Sequence, residues 1–157
     1  MKISSQDFIL EKHGKIKDDY RIGACLGKGR IPTTEPGAYG EVRKCQHRIT
    51  KAERAVKIIL KSLIEEDERK KLMNEVEILR KMDHPNILRL YEFYQDKRYF
   101  FIVTEYASPP HSRLCTGGEL FDKISEEQFF SEKDAANIMK QVLHAIRYCH
   151  SKHVVHR

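Results

Sequence analysis

The 157-residue chain is 40% apolar and 33% charged, which suits a globular protein of one domain with a sizeable core. Its 29 Lys and Arg outnumber 23 Asp and Glu, and the net charge of +6 suits several kinds of anionic partner without choosing among them. No apolar run approaches a membrane span and no basic stripe with interleaved aromatics marks a nucleic-acid surface, so neither membrane nor nucleic acid is an expected partner.

Cys25, Cys45, Cys115 and Cys149 are widely spaced and form no C-x-x-C pair. That suggests neither a zinc site nor a disulfide framework, and the expectation is reduced thiols in a soluble cytoplasmic protein. Met1 to Asp7 holds no apolar signal core, and Lys2 excludes N-myristoylation for this start.

Residues 1–19 are polar and read as a flexible approach to the folded part. Tyr20 to Leu26 alternates, with Tyr20, Ile22, Ala24 and Leu26 on one face of a half-buried strand. Gly40 to Gln46 is its hairpin partner. Ala52 to Leu60 is a third strand with Ala55, Lys57 and Ile59 on one side. The period then changes: Leu72, Val76 and Leu79 recur at helical spacing and predict a helix over 64–82. Asp83-His84-Pro85-Asn86 ends it, because proline cannot continue a helix and restricts the residue before it. Ile87 to Tyr94 and Arg98 to Glu105 follow as two strands around a turn at Gln95-Asp96-Lys97. Glu119 to Ile124 reads as a short helix. A longer one starts at Ser131, an N-cap with Asp134 at the capping-box position, and carries Ala135, Ile138, Met139, Val142, Ala145, Ile146 and Cys149 at helical spacing.

Two residues carry charge where the pattern asks for apolar groups. Glu75 falls within the stripe of Leu72, Val76 and Leu79, and Lys57 stands among Val56, Ile58 and Ile59. Each has an ordinary explanation: Glu75 sits at the edge of its stripe in water, and Lys57 snorkels to solvent. A Lys57–Glu75 ion pair would account for both at once, since stranding a buried charge costs about 3–5 kcal/mol. Gly27-Lys28-Gly29 and Gly40-Glu41-Val42 bracket the first hairpin turn, where glycines either make a plain hairpin or let backbone N–H groups approach phosphates.

Leu26-Gly27-Lys28-Gly29, Ala38-Tyr39-Gly40-Glu41-Val42, Ala55-Val56-Lys57, Glu75, His84-Pro85-Asn86, Thr116 to Phe121 and His156-Arg157 stand in the order of the protein kinase family, which the chain resembles over residues 8–157. Phe8 to Glu11, Asn74 to Leu79 and Phe130 to Ala136 are most similar to the calcium-dependent kinases of the calmodulin-type branch. The resemblance implies an α+β fold: an N-lobe over 20–106 with a five-stranded antiparallel sheet and one helix, then a partial helical C-lobe over 107–157. It implies an ATP-binding Ser/Thr kinase domain that phosphorylates protein or peptide. Lys57 would hold the α- and β-phosphates and Glu75 would fix Lys57. Gly27, Gly29 and Gly40 would shape the phosphate loop, and Leu26, Val42 and Ala55 would sandwich adenine. Thr104 would be the gatekeeper, Glu105 and Tyr106 would open the hinge, and Glu119 would face the ribose.

The pattern also breaks. The proton-accepting aspartate would be residue 158, and the magnesium-binding asparagine and aspartate are not among these residues, so Mg²⁺ is expected only in a longer protein. No D-x-[DN]-x-[DN]-G calcium loop occurs in the 157 residues. The Pro-rich segments Arg30–Gly37 and Ala107–Leu114 interrupt the phosphate loop and the hinge, and are expected to be gene-model or splicing artefacts. These features lead to the expectation of a chain that is inactive alone, with a non-catalytic, pseudokinase-like binding module as the alternative.

Overall fold

A computed structural model of the chain describes residues 11, 12, 14–30, 39–106 and 130–155. Two units separate, Met1–Asp83 with Leu88–Tyr106 and His84–Ile87 with Ala107–Arg157.

In the first unit the period-two segments become strands β2 (Tyr20–Arg30), β3 (Tyr39–His47) and β4 (Glu53–Leu60), followed after the helix by β5 (Leu90–Gln95) and β6 (Tyr99–Glu105). These five pair antiparallel, in the spatial order β5-β6-β4-β3-β2. The turn between β5 and β6 is tied by the Asp96 carboxylate, which accepts from the backbone N–H groups of Arg98 and Tyr99 at 2.7 Å each. Tight local capping of this kind is what makes aspartate a turn residue.

The sheet has two apolar faces, as its alternating strands require. On one, Ile59, Leu90, Phe93, Phe100 and Ile102 pack beneath helix α2 (Glu66–Arg80), which contributes Leu72 and Val76. The α2 N-terminus starts with three acidic residues, favourable against the helix dipole, and the Glu65 N–H donates to Glu68 Oε2 at 3.3 Å. On the other face Val56, Phe101, Val103, Tyr94, Cys45 and Tyr20 form a second core with Ile16.

Of the residues 1–19 read as a flexible approach, 1–10 and 13 lie outside the described residues, and the rest are ordered into the fold. Glu11–Lys12 form a short strand β1, parallel to β5 at Phe93 and Tyr94, so the sheet has six strands. Ile16–Asp19 form one helical turn, α1, with Ile16 buried. The cause is that single apolar side chain, locked in place by polar ties: the Arg48 N–H donates to the Asp19 carbonyl at 2.7 Å, and Arg48 Nε to the Lys17 carbonyl at 2.8 Å. The expected alternation along β2 also fails after Ile22. Register shifts between Ile22 and Cys25 and between Cys25 and Gly27 break the period, so Ala24 and Leu26 do not follow Tyr20 into the core.

In the second unit, helix α3 (Glu132–Ser151) starts where the sequence places it. Ser131 Oγ accepts from the Asp134 N–H at 3.2 Å and donates to Asp134 Oδ2 at 2.6 Å. Asn86 Nδ2 donates to Gln141 Oε1 at 3.1 Å, and the His84 and Tyr148 rings lie 5.1 Å apart. No α3 residue is buried, and Met139, Val142, Leu143 and Ile146 are exposed. Among the described residues, no helix is long and apolar enough to cross a membrane.

Candidate functional site

Strand register sets the site. Gly27, Val42, Lys57, Ile102 and Phe93 form one row across β2, β3, β4, β6 and β5. Residues directly opposite in paired strands point to the same face, and residues two apart along a strand share it. Lys57 therefore stands on the α2 face, one row from Ile59 and Phe100, whose row continues through Gly40 to Gly29. The next row on the other side is Lys44, Ala55 and Thr104, and the row after that holds Glu53 opposite Gln46.

Going along this face, burial declines in a definite order. Ile59 and Phe100 are fully buried, whereas Val42, Ala55, Lys57 and Thr104 are each half-buried. The result is an apolar strip with one lysine in it, wet at the edge and dry beneath. Gly29 lies opposite Gly40, leaving two successive strands without a side chain beside the Ile59 position. Leu26, on the edge strand, is 44% exposed and is not packed into the core. The Thr104 hydroxyl donates to the Glu105 carbonyl at 3.3 Å, and the Glu105 N–H donates to the Arg89 carbonyl at 2.9 Å.

The expected Lys57–Glu75 ion pair is not made. Glu75 is exposed on α2, and among the described residues no ion pair joins it to Lys57. Helix geometry explains this: Glu75 lies about 60° around α2 from Leu72 and about 100° from Val76, so those side chains face the sheet while the carboxylate turns to water. The solvated edge position, open from the sequence, is the one adopted here. Ion pairs that α2 does make include the short-range surface contacts Arg69–Glu66 at 3.5 Å and Lys70–Asp67 at 3.3 Å.

Beyond Thr104 the strip closes with a charged contact that sequence reasoning missed. Lys44 Nζ meets Glu53 Oε1 at 2.6 Å and stands 5.0 Å from the centre of the Tyr106 ring. The hydrogen bond to Glu53 raises the hold of the Lys44 ammonium on its proton. Alternation alone would have placed Lys44 on the face of Ala55, but nothing in the sequence joins it to Tyr106.

A second missed cluster lies on the opposite face. The single Tyr94 hydroxyl proton is shared between two carboxylate oxygens, Asp19 Oδ2 at 2.8 Å and Glu92 Oε2 at 3.1 Å. Burial, then the hydrogen bond to Asp19, pushes its hydroxyl well above the ordinary tyrosine range; burial, then Glu92, does the same to Tyr20. The cluster fastens α1 to β5 and is structural.

The residues present fit a nucleotide's base and phosphates on chemical grounds, with a half-buried apolar strip for a planar ring and a lysine beside it for an anion. Among the described residues no group of three or more His, Cys, Asp or Glu side chains is placed to hold a metal. Glu119, the Thr116–Phe121 motif, the two Pro-rich segments apart from Arg30, and His156-Arg157 lie outside the described residues.

The family model described as protein kinase domain matches residues 35–157. The chain is 43% identical over 153 residues to calcium-dependent protein kinase 5 of Plasmodium falciparum, covering 97% of this chain and 24% of that protein. It is 46% identical, with the same coverage, to the Plasmodium berghei protein of that name. With calcium/calmodulin-dependent protein kinase type II of Caenorhabditis briggsae it shares 39% identity, over 91% of this chain and 24% of that protein. The chain thus spans about a quarter of the length of these relatives. With a six-stranded sheet carrying Lys57 on the face that α2 covers, the chain belongs to the protein kinase family, in its calcium-dependent and calmodulin-type branch.

Proposed function

We propose that the chain contributes the ATP-gripping part of a Ser/Thr protein kinase. The observation that carries this reading is the shared, half-buried face of Val42, Ala55, Lys57 and Thr104. Val42 and Ala55 offer the adenine ring an apolar wall, and Thr104 stands at its inner end. Glu105 and Tyr106 carry the backbone groups at the base's edge. Lys57 meets the α- and β-phosphates. Gly27, Gly29 and Gly40 keep side chains away from the phosphates. Leu26 covers the base from the edge strand, and the kinase resemblance, not the described residues, assigns the ribose contact to Glu119.

When bound, ATP supplies the γ-phosphoryl group; these residues hold and orient it. Phosphoryl transfer also needs a proton acceptor and magnesium ligands, because its barrier falls mainly through positioning and charge neutralisation. Those groups are not among the 157 residues, so the chain alone binds ATP and does not phosphorylate peptide. A protein substrate and Mg²⁺ belong to this reading for the longer protein. A cytoplasmic location also belongs to it, supported by Cys25, Cys45 and Cys149, which carry free thiols.

The test is calorimetric titration of the 157-residue chain with ATP and with adenosine. Lys57→Met is expected to weaken ATP about tenfold or more, the scale of one charge-assisted hydrogen bond, and to leave adenosine within about twofold. Equal affinity of wild type and variant for ATP would refute the assignment. Phosphotransfer by the pure chain would refute the claim that it acts only as a holder.

A further inference from the structure

The contact that closes the strip beyond Thr104 has a use. Tyr106 lies one residue past the end of β6, so the ladder that fixes Thr104 and Glu105 stops short of it. What the Tyr106 ring does have is Lys44, whose ammonium stands 5.0 Å from the ring centre while Glu53 holds that ammonium at 2.6 Å. Glu53 is on the same β4 face as Ala55 and Lys57, two and four residues along the strand. Carboxylate, ammonium and ring therefore form a short chain of contacts running from the strip's own strand to the residue at its rim.

We propose that Lys44 is a positioning residue for nucleotide binding: tied to Glu53, it holds the Tyr106 ring and so fixes the backbone against which the base lies. This rests on the nucleotide-binding reading above and adds to it a residue on β3 that acts through another. A direct role on phosphate does not fit the placement. Lys44 lies one row from Lys57 and engages groups on the side away from it. Lys44 and Glu53 are both partly exposed, with 35% and 43% of their side-chain surfaces open to solvent. Such a pair adds little to folding, yet the ammonium-ring attraction orients the ring.

The experiment titrates the 157-residue chain and its Lys44→Met, Lys44→Arg and Glu53→Gln variants with ATP and with adenosine, alongside thermal melts. Lys44→Met is expected to weaken both ligands equally, by about two- to fivefold, with the melting midpoint unchanged. Lys44→Arg is expected to recover most of the loss, because a guanidinium meets a carboxylate and stacks on a ring. Glu53→Gln should weaken both ligands in the same direction by a smaller factor. Unchanged affinities in Lys44→Met would overturn the inference, and so would a loss confined to ATP, the mark of a phosphate contact. A lowered midpoint accompanying the loss would reduce Lys44 to a structural residue and overturn it equally. If wild type binds neither ligand, the nucleotide-binding reading itself fails and this inference goes with it; if wild type binds both and Lys44→Met matches it, only the inference fails.

Discussion

The exposed placement of Glu75 makes a prediction that runs against the simplest expectation for a lysine and a glutamate so arranged. Consider Lys57→Met, Glu75→Gln and the double variant, unfolded in urea without nucleotide. Glu75 lies on the flank of α2 in solvent, so Glu75→Gln alone should change stability by no more than about 0.5 kcal/mol. Lys57 is half-buried between Val42 and Ile102, and methionine keeps much of the stem packed there, so that change should be neutral or slightly stabilising. Two charges that do not pair couple weakly, and the interaction energy from the cycle should fall within about 0.5 kcal/mol of zero. A preformed buried pair behaves differently: removing one partner strands the other and costs about 3–5 kcal/mol. A coupling of about 2 kcal/mol or more would refute the solvated placement of Glu75, since that scale belongs to buried pairs.

Three further outcomes follow from individual contacts. Tyr94→Phe removes the hydroxyl whose proton is shared between Asp19 and Glu92, and should cost about 1.5–3 kcal/mol while speeding amide exchange across Ile16–Tyr20; unchanged exchange there would show that α1 is held by other means. Ser131→Ala should cost about 1 kcal/mol and lower the helical circular-dichroism signal, and no loss would mean the cap does not support α3. Burial pushes the Cys45 thiol from 9.0 up to about 12, so the folded chain keeps that proton where the unfolded chain releases it. The stabilisation is therefore complete below pH 9.0 and is lost as pH rises toward 12, with a slope of roughly 1.4 kcal/mol per pH unit for the one group. Tyr20 and Tyr94 are shifted the same way and steepen the loss, so flat stability across that range in urea titrations would contradict the burial of all three.

Much of the sheet was legible because its signals are local. β3, β4 and β6 have alternating or continuous apolar character, and the Asp96 turn and the Ser131 cap are chemistry within three residues. α2 was legible from Leu72 and Val76, although its bounds tightened to Glu66–Arg80. What escaped depends on distant partners. Ile16 is one apolar residue in a polar run, and only the pocket formed by Tyr20, Tyr94 and Val103 makes it core. The β2 bulges follow from pairing with β3, which alternation in one strand does not reveal. The Lys57–Glu75 pair depended on the rotation of α2 over the sheet. Spacing put Glu75 near the stripe, yet a displacement of about 60° from Leu72 is enough to send a carboxylate into water.

The most direct test of the nucleotide strip is a two-dimensional NMR titration of the isotope-labelled 157-residue chain with ATP. The account predicts that shift changes concentrate at Val42, Ala55, Lys57 and Thr104 and spare the opposite face at Tyr20, Cys45 and Val103. Changes centred on that opposite face, or none at saturating ATP, would contradict it.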